Sequence, residues 1–303
     1  MRARTIASLA LILFASAAAP QPAPPVAAPS AAELAQDEQR LESALLRLAP
    51  QRPGVVDAYV LTIALDSDAV FGREARVAAD VLSRRYDAGG RAITLAGPIG
   101  DEASELARGS PASLARAMAR IAELMDEQED VFVLYSSSHG SPLGLSYRQN
   151  GQELDTITPK QMRALLDRHG IHNRLLILSA CYSGIFVPGL QTANSVIVTA
   201  ASRDRTSFGC MADNDWTFFG DAMINHALRK PQSLGAAYAE ATGLVSQWER
   251  RFEVVPSQPQ IFLGAQSARW LNSLERRMPS SATRPVGRPA IETSFSPFFR
   301  SAG

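Results

Sequence analysis

Two short stretches hold the residues best suited to chemistry. "VFVLYSSSHGSPLG" (residues 131–144) delivers His139, and "RLLILSACYSG" (residues 174–184) delivers Cys181. A cysteine attacks as thiolate, and a neighbouring imidazole promotes that state and can return the proton to a leaving group. Acyl transfer also needs N–H donors for the oxyanion. Gly140 has no Cβ, so its N–H can come close to a substrate carbonyl, and the Cys181 N–H is the natural second donor. The small residues Ser179, Ala180, Ser183 and Gly184 keep the surroundings of the thiol open. Residue type therefore points to a His–Cys pair, provided the fold brings the two stretches together.

Each stretch begins as an apolar run without polar alternation, the mark of a strand buried on both faces. Four more runs share it: "VDAYVLTIAL", "RAITLAG", "SVIVTAA" and "PQIFLG". Between them lie helical patterns. "FGREARVAADVLSRRY" places Val77, Val81 and Leu82 on one face. Ser110 and Pro111 cap and start a helix, and Thr158 with Gln161 forms a capping box closed by Gly170. "WTFFGDAMINHALRK" reads as another helix, with Trp216, Phe218 and Phe219 in the core. Strands alternating with helices predict an α/β three-layer sandwich, a mostly parallel sheet with helices on both faces. In such sheets the functional groups gather at the carboxyl ends of the strands. His139 follows the third strand and Cys181 the fourth, so neighbouring strands would put both on one edge.

The chain of 303 residues is 46% hydrophobic and 20% charged, enough for a full core. Thirty basic residues balance thirty acidic ones, which argues against nucleic-acid binding or a polybasic membrane patch. Residues 1–19 read as a secretory signal, with Arg2 and Arg4 before "IASLALILF" and cleavage expected after Ala17 or Ala19. Residues 20–54 form a Pro/Ala-rich linker and an amphipathic helix, 55–274 the compact domain, and 275–303 a loosely ordered tail. The expected location is periplasmic or secreted, without strong membrane association once the signal is removed; an uncleaved signal would anchor the chain. Export makes a Cys181–Cys210 disulfide the rival to a free nucleophile. Otherwise Cys210 is expected as a packed, inert thiol. His169 and His172 straddle a helix-ending glycine and share no face, so no metal is expected. "ACYSG" is not a serine-nucleophile elbow. No glycine fingerprint for a dinucleotide follows the first strand, and no organic cofactor is expected.

"VFVLYSSSHGSPLGL" and "LLILSACYSGIF" resemble the His-Gly and Ala-Cys-x-Ser-Gly motifs of legumain-like cysteine peptidases, family C13 of the caspase-like clan. "SVIVTAASRDRTSFGC" is similar to the segment lining the primary specificity pocket. "VFGREARVAADVL" and "DNDWTFFGDAM" look like the bacterial branch, and the likeness spans residues 55–264. The resemblance implies a caspase-like fold and hydrolysis of peptide or protein substrates after Asn or Asp. His139 becomes the general acid/base, Cys181 the nucleophile, and Gly140 with Cys181 the oxyanion hole. Arg73, Thr206 and Ser207 become the substrate pocket, with Arg76 competing for the place of Arg73 and Asp68 placed to orient the histidine. Legumains carry an acid immediately before the histidine, where this chain has Ser138. Transpeptidation or transamidation through the same thioester, and an inactive peptide-binding scaffold, stay open at this point.

Overall fold

The computed structural model describes residues 30–98 and 104–292. The expected signal segment and the start of the linker lie outside the described residues. In chain order the strands are β1 (Ala58–Ala64), β2 (Ala92–Leu95), β3 (Val131–Ser137), β4 (Gly140–Ser141), β5 (Gly144–Gln149), β6 (Gln152–Ile157), β7 (Arg174–Ser179), β8 (Ser195–Thr199) and β9 (Gln260–Leu263). The helices are α1 (Ala31–Leu46), α2 (Ala69–Arg85), α3 (Pro111–Leu124), α4 (Pro159–Arg168), α5 (Phe186–Leu190), α6 (Phe218–Gly220), α7 (Leu234–Arg251) and α8 (Ala268–Glu275).

Six strands form one sheet in the order β2-β1-β3-β7-β8-β9. All neighbours in it are parallel except β9, which runs antiparallel to β8. Every residue of β1, β3, β7 and β8 is buried, as their unbroken apolar runs require. Alternate side chains feed two cores. Val133, Tyr135 and Ile177 pack with Leu82 of α2, Trp248 of α7 and Leu274 of α8. Phe132, Leu134 and Leu176 point the other way, to Leu45 of α1, Leu114 of α3 and Leu166 of α4. The result is the expected three-layer α/β sandwich with a mostly parallel sheet.

The capping signals act where they were read. Ser110 accepts the Ser113 N–H ahead of Pro111, and Thr158 forms the box with Gln161. Gly170 takes φ +61°, a left-handed conformation that ends α4 without a Cβ clash. The aromatic run is core as expected, since Trp216, Phe218 and Phe219 are buried.

Two features differ from the sequence reading. The polar stretch after His139 folds as a separate antiparallel sheet of β4, β5 and β6. Its β6 is largely exposed, so no apolar pattern announces it. The tail expected to be loose from residue 275 is tied down as far as residue 292. Val286 accepts from the Trp216 indole at 2.9 Å, and the Ala290 N–H donates to Asp221 Oδ2 at 2.7 Å. Main-chain bonding to buried polar groups does there what a hydrophobic pattern does elsewhere.

Because Leu134 is fully buried on a central strand, Leu134→Ala should lower unfolding free energy by about 2–5 kcal/mol, read from urea denaturation.

Candidate active site

Ser137 of β3 lies opposite Ser179 of β7 in the parallel register. The Ser138 N–H extends the ladder by one bond, donating to the Ser179 carbonyl at 3.1 Å. His139 and Cys181 each stand two residues beyond that pair, so adjacent strands carry them out over the carboxyl edge together. The Cys181 turn packs against Gly140: a Cβ there would lie 2.2 Å from the Cys181 carbonyl oxygen. Only glycine lets the histidine strand pass this closely.

The imidazole of His139 is held by acids from the end of β1 and the start of α2. Its Nε2 lies 3.9 Å from Asp66 Oδ2 and 3.8 Å from Asp68 Oδ2. Phe71 meets the ring edge-on at 5.0 Å between centroids. Cys210 lies near enough to add to the basicity of the imidazole. Burial works to lower the histidine's pKa, but Asp68, Cys210 and Asp66 outweigh it and raise the pKa to about 9. The imidazole of His139 close by holds Asp68 below the usual carboxylate range, whereas burial pushes Asp66 up.

Cys181 sits on a sharp bend. Tyr182 has φ +57°, rare for a residue with a side chain, and is held by its N–H bond to the Arg205 carbonyl at 2.8 Å. The Cys181 sulfur accepts the Ser207 N–H at 3.2 Å. Burial raises the pKa of the thiol, and the Ser207 N–H opposes that rise. Cys181 and Cys210 are both free thiols, so the disulfide is not formed.

Of the residues read as a pocket, Ser207 touches the nucleophile and Thr206 is its partly buried neighbour. Arg73 is engaged elsewhere. Its guanidinium donates to the carbonyls of Ala212 at 2.6 Å and Asn214 at 2.5 Å, and its Nε lies 3.7 Å from Asp215. Arg76 donates to the carbonyls of Ala96 and Gly97. Ser138 is buried, with its hydroxyl on the His139 carbonyl.

Two site residues escaped the sequence reading. Asp66 was discoverable, since it follows a strand that neighbours the histidine strand. Cys210 had no such signal, because an irregular loop brings it in. It is packed, as expected, against the small cluster of Val70 and Phe71, yet it also raises the pKa of His139. Asp66, Asp68 and His139 are the one group of three such donors among the described residues near enough to share an ion, their ligand atoms all within 4.8 Å of one another.

The sequence profile described as the peptidase C13 family matches residues 109–260, half of the chain. The chain belongs to the peptidase C13 family. The part of this C13 chain that matches contains both His139 and Cys181, while Asp66 and Asp68 lie before it. Family membership supports a cysteine-peptidase type of function acting on protein or peptide. No curated protein matches the sequence. Among solved structures, caspase-1 from Spodoptera frugiperda is similar at 12% identity, covering 72% of this chain and 93% of that one, with a TM-score of 0.48.

The acids should govern the titration of His139. Its imidazole resonance should move with a midpoint near pH 9 in the native protein, and the Asp66→Asn/Asp68→Asn variant should bring the midpoint toward about 6.5, as read by NMR. Because the folded pKa is the higher one, His139 contributes stability that is complete below pH 6.5 and lost as pH rises through about 9. A stability difference between wild type and His139→Asn that stays constant across that window would contradict this.

Proposed function

We propose that this C13 family member is an exported cysteine endopeptidase using His139 and Cys181. The observation that carries the reading is their common origin, two residues past one register pair on adjacent parallel strands. Once the pair has lost one proton to solvent, the Cys181 thiol proton passes to His139 as the sulfur attacks, and the acids favour the imidazolium so formed. The Ser207 N–H supports the developing thiolate. Cys181 Sγ then bonds to the scissile carbonyl carbon. The oxyanion is received by the N–H groups of Gly140 and Cys181. As the tetrahedral adduct collapses, the C–N bond breaks and His139 gives its proton to the departing amine. Nε2 faces Asp66 and Asp68, which leaves Nδ1 for this transfer. Neutral His139 next takes a proton from water, whose oxygen attacks the thioester, and the C–S bond breaks to release the acid and restore the thiol.

The side chain before the cleaved bond is Asn or Asp in this reading, met by the polar groups of Thr206 and Ser207. A cleft of about 420 Å³ beside Asp66 and Asp68, walled by Glu33, Gln36 and Arg40 of α1, offers room for more of the substrate. Export to the periplasm or medium rests on the signal-like first nineteen residues.

A thiol-reactive peptide electrophile bearing Asn or Asp tests the reading. We expect one adduct, on Cys181, and loss of both labelling and peptide cleavage in Cys181→Ala. His139→Ala should reduce cleavage by roughly 10²–10⁴-fold, the usual range for a general acid/base. Cleavage that survives in Cys181→Ala would end the proposal. Adding an amine acceptor separates hydrolysis from transfer.

A further inference from the structure

We propose that Glu74 is the positioning residue of this site: from α2 it ties together the segments that carry His139, Cys181 and Ser207, and so sets their mutual approach. The proposal rests on the reading of His139 and Cys181 as the catalytic pair. Glu74 is fully buried on a helix whose other buried residues, Arg85 apart, are apolar or glycine. Its carboxylate is surrounded by donors. Oε1 accepts from Ser137 Oγ at 2.9 Å, from Ser179 Oγ at 3.0 Å and from the Tyr135 hydroxyl. Oε2 accepts from the Thr217 N–H and the Thr217 hydroxyl, both at 2.9 Å. A carboxylate offers roughly four lone-pair directions, so these donors saturate it.

What the donors are attached to carries the inference. Ser137 and Ser179 face each other across the β3–β7 register, and each precedes its reactive residue by two positions. One oxygen atom thus clamps the ends of both strands from the α2 side of the sheet. Thr217 is the cap of α6, where its hydroxyl accepts the Gly220 N–H at 2.9 Å. It also closes the loop whose Ser207 N–H holds the Cys181 sulfur. Glu74 therefore meets every segment that touches the thiol or the imidazole except the acids' own. The helix start is shaped around it: a Cβ on Gly220 would lie 2.2 Å from the Glu74 carboxylate. Burial first, then the charge of Glu74, pushes the Tyr135 phenol upward, which keeps it a donor.

A clamp that serves only stability and one that positions the pair differ in what its loss changes. The test uses the full chain as Ser137→Ala/Ser179→Ala, with each single variant, Tyr135→Phe and Glu74→Gln. For each variant, Tm, kcat and KM are measured, together with the iodoacetamide alkylation rate of Cys181 against pH, resolved from Cys210 by mass spectrometry. The double variant keeps the Tyr135 and Thr217 bonds and should stay folded. We expect kcat to fall by about 10- to 100-fold with KM nearly unchanged, since a displacement near 1 Å can cost about 10²-fold. The alkylation profile should shift to higher pH as the imidazolium moves off the thiolate. Tyr135→Phe, which removes a donor attached to neither reactive segment end, should lower Tm while leaving kcat near wild type. Glu74→Gln keeps a carbonyl oxygen for the Thr217 N–H by turning its NH2 to the Ser137, Ser179 and Tyr135 hydroxyls, which loosens the clamp on both strands, and should follow the double variant; if either fails to fold, the single serine variants are read in the same way. A lowered Tm with wild-type kcat, KM and alkylation profile would overturn the proposal. Should the wild type cleave no peptide, the alkylation profile still decides the role of Glu74, while the peptidase reading fails on its own.

Discussion

The structure turns on the pairing of β3 with β7. A parallel strand pair buried on both faces has saturated main-chain bonds and apolar flanks, so chemistry is confined to its carboxyl edge. The register sets Ser137 against Ser179, and the next residues of the two strands diverge into a hairpin on one side and a tight turn on the other. The close pass of Gly140 over the Cys181 carbonyl requires both a residue without a Cβ and this register. A shift by one residue would exchange inward and outward side chains along the strand and separate the pair.

That edge is polar within an apolar sandwich, and its electrostatics follow from it. Burial alone would drive His139 toward the neutral form and keep Cys181 a thiol. For the histidine, two carboxylates and a second thiol reverse the outcome. For the cysteine, burial wins over the Ser207 N–H. The edge therefore carries His139 as an imidazolium and Cys181 as a protonated thiol. Glu74 adds a further buried carboxylate on the α2 side, satisfied by hydroxyls and a main-chain N–H.

Much of this was legible before any coordinates. The four central strands of the large sheet were readable because burial on both faces demands unbroken apolar runs, and the half-buried edge strands β2 and β9 carried short apolar runs as well. The helix boundaries at Ser110 and Thr158 were readable because capping is local chemistry. The small sheet was not, since a half-exposed hairpin needs no apolar run. The role assigned to Arg73 shows a related limit. The family resemblance implies a pocket role for Arg73, with Arg76 competing, and the fork of Arg73 donates to the carbonyls of Ala212 and Asn214, far along the chain. Sequence shows that a charge exists, but folding decides whether another part of the chain claims it.

By itself the sequence determined the layered architecture, the two motifs with His139 and Cys181, and their delivery by consecutive apolar strands. These follow from periodicity, capping and residue type, all of which are local. Tertiary structure alone decided that β3 and β7 are neighbours in register. It also decided that Asp66 and Cys210 join Asp68 near the imidazole, that the two thiols stay apart, and that Glu74 lies under the reactive edge. Those facts depend on distances between segments remote in the chain. Such distances are set when the two cores pack against the sheet, and no local pattern encodes them.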